Sequence, residues 1–126
     1  MKTTYVLTES IEIDATAFAI NSHEKGYKLC WHINKGLLAF LKKEREPKQI
    51  SRKIFTVFST KYDGRHLTLI KNQSKDGFLI PQKKNIDYFM TIEPRLNPLQ
   101  KEQFIQKLNK VSKILLTFEI DLNSEP

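Results

Sequence analysis

Cysteine and glycine are scarce in this chain of 126 residues, and each shortage excludes a class of protein. The single cysteine, Cys30, excludes an internal disulfide framework. With only four glycines, a phosphate cradle built from backbone amides is not expected, and no glycine-rich loop, nucleophile elbow or kinase signature occurs.

Long apolar runs are also lacking. None approaches the roughly 18 residues that a membrane span needs, and the first residues alternate polar and apolar types instead of forming the continuous apolar core of a signal peptide. These absences, together with the lone cysteine, favour a protein of the cytoplasm without membrane contact.

The composition is that of a folded globular protein. Hydrophobic residues make up 40% of the chain and charged residues 28%, which a disordered chain would not show. A chain of this length is large enough for a real core, so we expect residues 1–126 to form a single domain.

Positive charge is concentrated in the middle third of the sequence. The formal net charge is +7, and residues 42–84 alone carry twelve lysines and arginines against four acidic residues. The segments on either side are close to neutral. A local excess of this kind is a candidate footprint for an anionic partner.

The first 41 residues predict a strand and two helices. Residues 4–13 alternate well enough for a strand, and Asp14 can cap a short helix over residues 15–20. Residues 23–41 form the strongest helical pattern, with Ser22 as a candidate cap. Trp31 and Leu38 widen its apolar side, which leaves two interpretations open: a central helix packed on two sides, which we favour, or a face for a partner subunit.

The basic middle predicts a linker followed by a small antiparallel meander. Residues 42–53 are polar, and Pro47 forbids a continuing helix. Strands over 54–61 and 66–71 flank an Asp-Gly hairpin turn. A second turn over 72–77 leads to a short third strand over 78–80, which Pro81 closes.

The last third predicts strand, helix and strand. Residues 86–92 alternate as in a strand, with a helical turn at Asp87 as the alternative. Asn97 can cap a helix that has Pro98 at its first position and runs to about Lys110. Alternation resumes over residues 114–122. If the two flanking strands are parallel neighbours, their crossover should be right-handed. We therefore predict an α+β fold: a mostly antiparallel sheet of five or six strands with helices packed on one face.

A proline-anchored turn with two lysines lies between two apolar runs near residue 85. Its key residues are, in order, Ile80-Pro81-Gln82, three spacers and Ile86-Asp87-Tyr88. This stretch resembles the motif of a bacterial family called IPExxxVDY, with Gln82 replacing the Glu and Ile86 replacing the Val. Residues 27–34 also resemble the family's helical segment. The resemblance implies a related fold and no particular activity.

The candidates for catalysis and metal binding are weak. His23, Cys30, His32 and His66 match no zinc spacing, and Cys30 and His32 are too close in sequence to face each other on a helix. We expect Cys30 to be a buried small hydrophobe. Gln82 removes the carboxylate of the family motif, and Asp87 has a plainer role as a turn acceptor. We predict no catalytic residue, no metal ligand and no cofactor.

The candidate binding residues are polar and basic side chains of the motif and of the linker. They are Gln82, Lys83, Lys84, Asp87 and Tyr88 in the motif, and Lys42, Lys43, Arg45, Lys48, Arg52 and Lys53 in the linker. They could contact a protein or neutralise phosphates, with aromatic residues such as Phe55, Phe58, Tyr62 and Phe78 stacking on bases if exposed. The bland interpretation is a solvated surface whose lysines discourage edge-to-edge aggregation.

Three hypotheses follow. The favoured one is a small cytoplasmic non-enzymatic interaction module, either a monomer or a homodimer, that binds a protein or an assembly containing RNA. Its contact surface would be the motif and the basic linker. The alternative is direct nucleic-acid binding through the basic middle third. The least favoured is an enzyme with Asp87 and Tyr88 in a cleft.

Overall fold

The computed structural model describes residues 14–50 and 52–121. Its helices are α1 (Gly26–Leu37) and α2 (Pro98–Asn109), with a 3-10 turn at Pro81–Lys83. Its strands are β1 (Thr16–Asn21), β2 (Lys42–Lys43), β3 (Lys48–Ile50), β4 (Lys53–Phe55), β5 (Val57–Tyr62), β6 (Arg65–Lys71), β7 (Gln73–Ser74), β8 (Gly77–Phe78), β9 (Tyr88–Glu93) and β10 (Leu116–Ile120).

Six of these strands form one antiparallel sheet in the order β10-β1-β9-β6-β5-β2. The pairs β3–β4 and β7–β8 form two small separate sheets. Side chains of α1 and α2 join one face of the large sheet in a single core. The prediction of an α+β fold with helices on one face of a mostly antiparallel sheet is confirmed.

The second face of the sheet has a smaller apolar cluster. Ala17 and Ala19 of β1 lie there with Phe89 and Ile120, and Ile86 covers them from the segment that follows β8. Alternating strand residues therefore serve two clusters, and the segment between β8 and β9 is a cover for the sheet as well as a connection.

The chain over residues 16–21 is a strand, so the predicted short helix over 15–20 is wrong. β1 pairs with β9 on one side and with β10 on the other, and five of its six residues are buried. A short apolar run buried on both faces has no period that distinguishes a strand from a helix. The strand predicted over residues 4–13 lies outside the described residues.

Helix α1 is shorter than predicted at both ends. It begins after Lys25, and no side chain caps it; Ser22 instead accepts the Glu24 N–H at 3.1 Å in the preceding turn. It ends where Leu38 adopts a left-handed conformation (φ 58°). Asn34 then holds the departing chain, because its side chain bonds both the N–H and the C=O of Leu41.

The linker and the meander differ in part from expectation. Residues 42–53 contribute the short strands β2 and β3 and the first residue of β4, so they are not a featureless linker. The β5–β6 hairpin is confirmed, with Asp63 and Gly64 both at positive φ (54° and 76°), as a type I′ turn requires. The third strand of the meander is wrong: Phe78 pairs in the small β7–β8 hairpin, and the true neighbour of β6 is β9.

The last third is predicted well. β9 is a strand, so the alternative of a helical turn at Asp87 is wrong. Asn97 accepts the Gln100 N–H at 2.8 Å while the Gln100 side chain accepts the Asn97 N–H at 2.9 Å, which is a capping box. β9 and β10 are not neighbours, because β1 lies between them, so the condition for the predicted right-handed crossover is not met.

Candidate interaction surface

The motif turn, residues 80–88, is held by one buried side chain. Asn72 is fully buried, and its amide donates to the C=O groups of Lys83 and Ile86 at 2.9 Å each while its carbonyl accepts the Ile80 N–H at 3.0 Å. Its backbone bonds Leu79 and Asp87. Five hydrogen bonds from one residue therefore fix both ends of the turn.

Asp87 and Tyr88 connect the motif turn to the start of α1. The Asp87 carboxylate accepts the Ser22 N–H at 2.9 Å, and the Tyr88 hydroxyl donates to the Glu24 C=O at 2.6 Å. Burial of the Tyr88 ring raises the pKa of its hydroxyl to about 12, with the nearby Cys30, Asp87 and Glu24 adding to the effect. Both side chains thus bind the connection between β1 and α1, and this geometry gives no support to a cleft in which they act as catalysts.

The predicted binding residues of the motif divide into two groups. Gln82 and Lys84 are exposed and Lys83 is half-buried, whereas Tyr88 is buried and does not reach the surface. The ammonium of Lys84 lies 5.6 Å from the centre of the Phe78 ring. A partner could touch the tip of the turn, but it could not touch Tyr88.

The predicted basic residues of the linker are mostly solvent-exposed. Lys42, Lys43, Arg45, Lys48 and Arg52 are exposed along β2, β3 and the turn that follows. Lys53 differs, because its ammonium donates to the Phe78 C=O at 3.0 Å and thereby ties β4 to β8.

The aromatic residues suggested for base stacking do not accompany those cations. Phe55 and Phe58 are buried. The Tyr62 ring packs at 6.1 Å from Phe104 of α2, and Lys84 covers Phe78. A stacking platform of these four rings is therefore absent from the described surface.

Cys30 lies in the core, as the sequence predicts. It is buried, and desolvation raises the pKa of its thiol from 9.0 to about 12. A thiol in that environment is inert at neutral pH because the thiolate is the nucleophile. Within residues 14–50 and 52–121, no three side chains of His, Cys, Asp or Glu are grouped to hold a metal ion.

The unexpected feature is an exposed apolar stripe on the outer side of α1 and in the turn that follows it, which we call the α1 stripe. It consists of Tyr27 (64% exposed), Trp31 (59%), Leu38 (82%) and Phe40 (72%). Tyr27 and Trp31 are four residues apart and share one side of α1, whereas Leu38 and Phe40 belong to the turn at its end. The favoured interpretation of a helix packed on two sides is wrong: α1 buries Leu29, Cys30, Ile33 and Leu37 and leaves the opposite side uncovered by the described residues.

A shallow open groove of about 610 Å³ adjoins the stripe. Its lining is Glu24, Tyr27, Lys28, Trp31, His32 and Lys113. The ammonium of Lys35 lies 5.1 Å from the centre of the Trp31 ring, within range of a cation–π contact. The groove lining thus combines the aromatic Tyr27 and Trp31 with the cationic Lys28 and Lys113.

Leu38 lowers the stability of the isolated protein in two ways, through its backbone conformation and through its exposed side chain. A side chain with a Cβ costs about 1–2 kcal/mol in the left-handed conformation, which is why glycine usually ends a helix there. Leu38 also exposes most of its apolar surface to water. Neither the packing nor the helix termination of the described structure explains a leucine at this position.

Comparisons of this chain with known protein families, with curated proteins and with solved structures found no match. The IPExxxVDY resemblance therefore stays a prediction. The described residues include no helix long and apolar enough to cross a membrane.

The sequence predicts where the motif turn lies, and it offers Trp31 and Leu38 as a face for a partner subunit only as the less favoured of two interpretations. It does not indicate that Tyr27 and Phe40 belong to the same surface. The only available signal was the apolar side of α1, which is wider than one buried face needs. Periodicity does not say which part of such a side the rest of the fold covers.

Proposed function

We propose that this protein is a small, cytoplasmic, non-enzymatic interaction module that binds a partner protein through the α1 stripe. The observation that carries the proposal is the exposure of four large apolar side chains, two on α1 and two in the turn that follows it. Contiguous exposed apolar surface marks interaction sites, whereas single exposed residues need no explanation. Aromatic side chains, above all Trp and Tyr, are also enriched among residues that dominate binding energy.

The motif turn supports this proposal indirectly. Asp87 and Tyr88 bond the backbone just before α1, and Asn72 fixes the turn that carries them. The motif residues would thus preorganise the helix that presents the stripe, which reduces the ordering cost of binding. In this account the IPExxxVDY-like motif is architectural, and the working side chains lie on α1.

A matched capture experiment tests the proposal. The tagged wild-type protein and a Trp31→Ser/Leu38→Gly variant are used to isolate partners from the native cell, with and without nuclease. The control is Leu99→Ser, which changes an apolar residue that is 62% exposed on α2.

We expect a protein partner that survives nuclease, is retained by Leu99→Ser and is lost by the α1 variant. Retention of every partner by a folded α1 variant would contradict the proposal.

Direct nucleic-acid binding is the second candidate, and one observation favours it. Lys42, Lys43, Arg45, Lys48 and Arg52 are all exposed within a short stretch of chain, as phosphate contacts need. Such binding should weaken steeply with salt, since each neutralised phosphate releases counterions. Nuclease-sensitive capture that a Lys42→Glu/Lys43→Glu/Arg45→Glu variant abolishes, and that Trp31→Ser/Leu38→Gly leaves intact, would establish this candidate instead.

A further inference from the structure

We infer that the partner segment bound by the α1 stripe is an amphipathic helix with acidic flanks, and not a second copy of this chain. This inference rests on the proposed function and specifies the kind of partner. Three observations carry it: the charge of the groove lining, the shape and length of the stripe, and the overall charge of the protein.

The charged residues of the groove are mainly cationic. Lys28 and Lys113 line it, and Lys35 lies over the Trp31 ring. Glu24, at the end near the start of α1, is the one acidic residue of the lining. Beyond Phe40, the chain continues directly into the exposed Lys42 and Lys43 of β2. Complementary charge steers association and sets register, so acidic residues should flank the apolar contacts of the partner.

The stripe has the dimensions of a helix-binding surface. Tyr27 and Leu38 are eleven residues apart, which corresponds to about 17 Å along a helix axis. A partner helix of about 12 to 16 residues spans this distance and presents apolar anchors at helical spacing. The shallow groove beside Trp31 can take one such anchor without requiring the deep cavity of a small-molecule site.

A second copy fits this surface poorly. A symmetric dimer through the α1 stripe would bury the same surface of both protomers, so Lys28, Lys35 and Lys113 of each would enter an interface whose groove lining offers one acidic residue, Glu24. The net charge of +7 adds long-range repulsion. Like charges placed opposite each other at an interface cost several kcal/mol, so an acidic partner is favoured.

The test is a selection of phage-displayed random peptides of about 16 residues, or roughly four helical turns, against the wild-type chain of 126 residues. Counter-selection uses the Trp31→Ser/Leu38→Gly variant. Enriched sequences should combine apolar residues at helical spacing with a net negative charge. Enrichment of neutral or basic sequences, or no enrichment that depends on the stripe, would overturn the inference.

A charge-reversal series tests whether the partner is acidic, with a selected peptide and the captured cell partner as ligands. The fluorescence emission of the sole tryptophan, Trp31, reports binding. Lys28→Glu/Lys35→Glu/Lys113→Glu should weaken binding at least tenfold at low salt. The control is Lys48→Glu/Lys71→Glu/Lys75→Glu, which makes the same charge change at exposed positions outside the groove lining and should weaken binding only a few-fold. Equal effects of the two triple variants would overturn the inference.

The two sets of variants distinguish failure of the proposed function from failure of the helix inference. If the proposed function is wrong, the Trp31→Ser/Leu38→Gly variant keeps the cell partner. If only the helix inference is wrong, that variant loses the partner, but the Lys28→Glu/Lys35→Glu/Lys113→Glu variant binds it as well as the control triple does. Concentration-dependent dimerisation in sedimentation that the stripe variant abolishes would replace the acidic helix with a second copy.

Discussion

Leu38 is the residue at which the requirements of folding and the requirements of binding differ most clearly. Its backbone is left-handed, and its side chain is largely in water, so its present identity does not stabilise the described structure. Its N–H still donates to the Asn34 C=O, and glycine would preserve that bond.

Leu38→Gly should raise the free energy of unfolding by about 0.5–1 kcal/mol. Glycine removes the strain of the left-handed conformation, but the greater backbone entropy of glycine in the unfolded chain offsets part of that stabilisation. The same change should weaken partner binding. Urea denaturation measures the first effect and titration with the captured partner the second. Leu38→Met is the matched control that keeps an apolar side chain and should keep binding; loss of stability in Leu38→Gly would contradict the account.

Asn72 shows how one residue can fix a motif. Asn72→Ala leaves the Ile80 N–H and the C=O groups of Lys83 and Ile86 without their side-chain partner, and each such loss in a buried site costs about 1–3 kcal/mol. We expect the free energy of unfolding to fall by about 3 kcal/mol or more in urea denaturation. Asn85→Ala, an exposed position in the same turn, is the control and should change it by less than about 0.5 kcal/mol.

Cys30 provides the pH-dependent prediction. Because its thiol pKa is raised from 9.0 to about 12, at pH 9 the folded protein should hold several-hundred-fold less thiolate than the unfolded chain. Alkylation of the native protein should be correspondingly slow, and urea should restore the rate of the unfolded chain. The neutral thiol favours the folded state, so this contribution to stability is complete below pH 9 and is lost as pH rises toward 12. Fast labelling of the native protein would contradict the burial of Cys30.

At the scale of elements, a side chain of β9 forms a hydrogen bond to the backbone just before α1. The Tyr88 hydroxyl reaches the Glu24 C=O from the first residue of β9. It acts next to Lys25, whose C=O accepts the Leu29 N–H in the first turn of α1 at 2.8 Å. A strand residue therefore holds the start of the helix that presents the α1 stripe.

Tyr88→Phe should destabilise the first turn of α1 more than the rest of the molecule, since it removes a bond worth about 1 kcal/mol and leaves a partnerless carbonyl. Native-state hydrogen exchange measures this directly. The Leu29 amide should exchange faster, while the Lys101 amide, which donates to Asn97 at the start of α2, should keep its rate relative to global unfolding. An equal change at both amides would mean that Tyr88 stabilises the fold without positioning α1.

Local chemistry explains which elements the sequence predicts. The β5–β6 turn has Asp63-Gly64, and α2 has Asn97, Pro98 and Gln100 at its start; each signal acts within a few residues. β1 has no such signal, because its strand conformation comes from pairing with β9 and β10 far along the chain. The true neighbour of β6 was missed for the same reason: pairing with β9 depends on contacts across the intervening motif turn.

At the scale of the whole molecule, the sequence does not determine which apolar side chains are exposed to solvent. The apolar width of α1 is visible in the sequence, but the arrangement of the sheet and α2 decides that Leu29 and Ile33 are buried while Trp31 is not. The position of charge is also decided by the fold. The excess of positive charge in the middle third is predictable from the sequence. Lys113 is distant from Lys28 in the sequence, and the two residues come together only in the folded groove.

The central claim is that the outer side of α1 is the surface that meets the partner. The most direct measurement is photocrosslinking in the native cell, with a benzophenone amino acid placed at position 31 in one strain and at position 99, on α2, in the other. We predict a discrete crosslinked protein at position 31 that position 99 does not give, and that is formed equally after nuclease treatment of the extract. Crosslinks at position 99 alone, or at neither position while the basic linker still captures nucleic acid, would contradict the account.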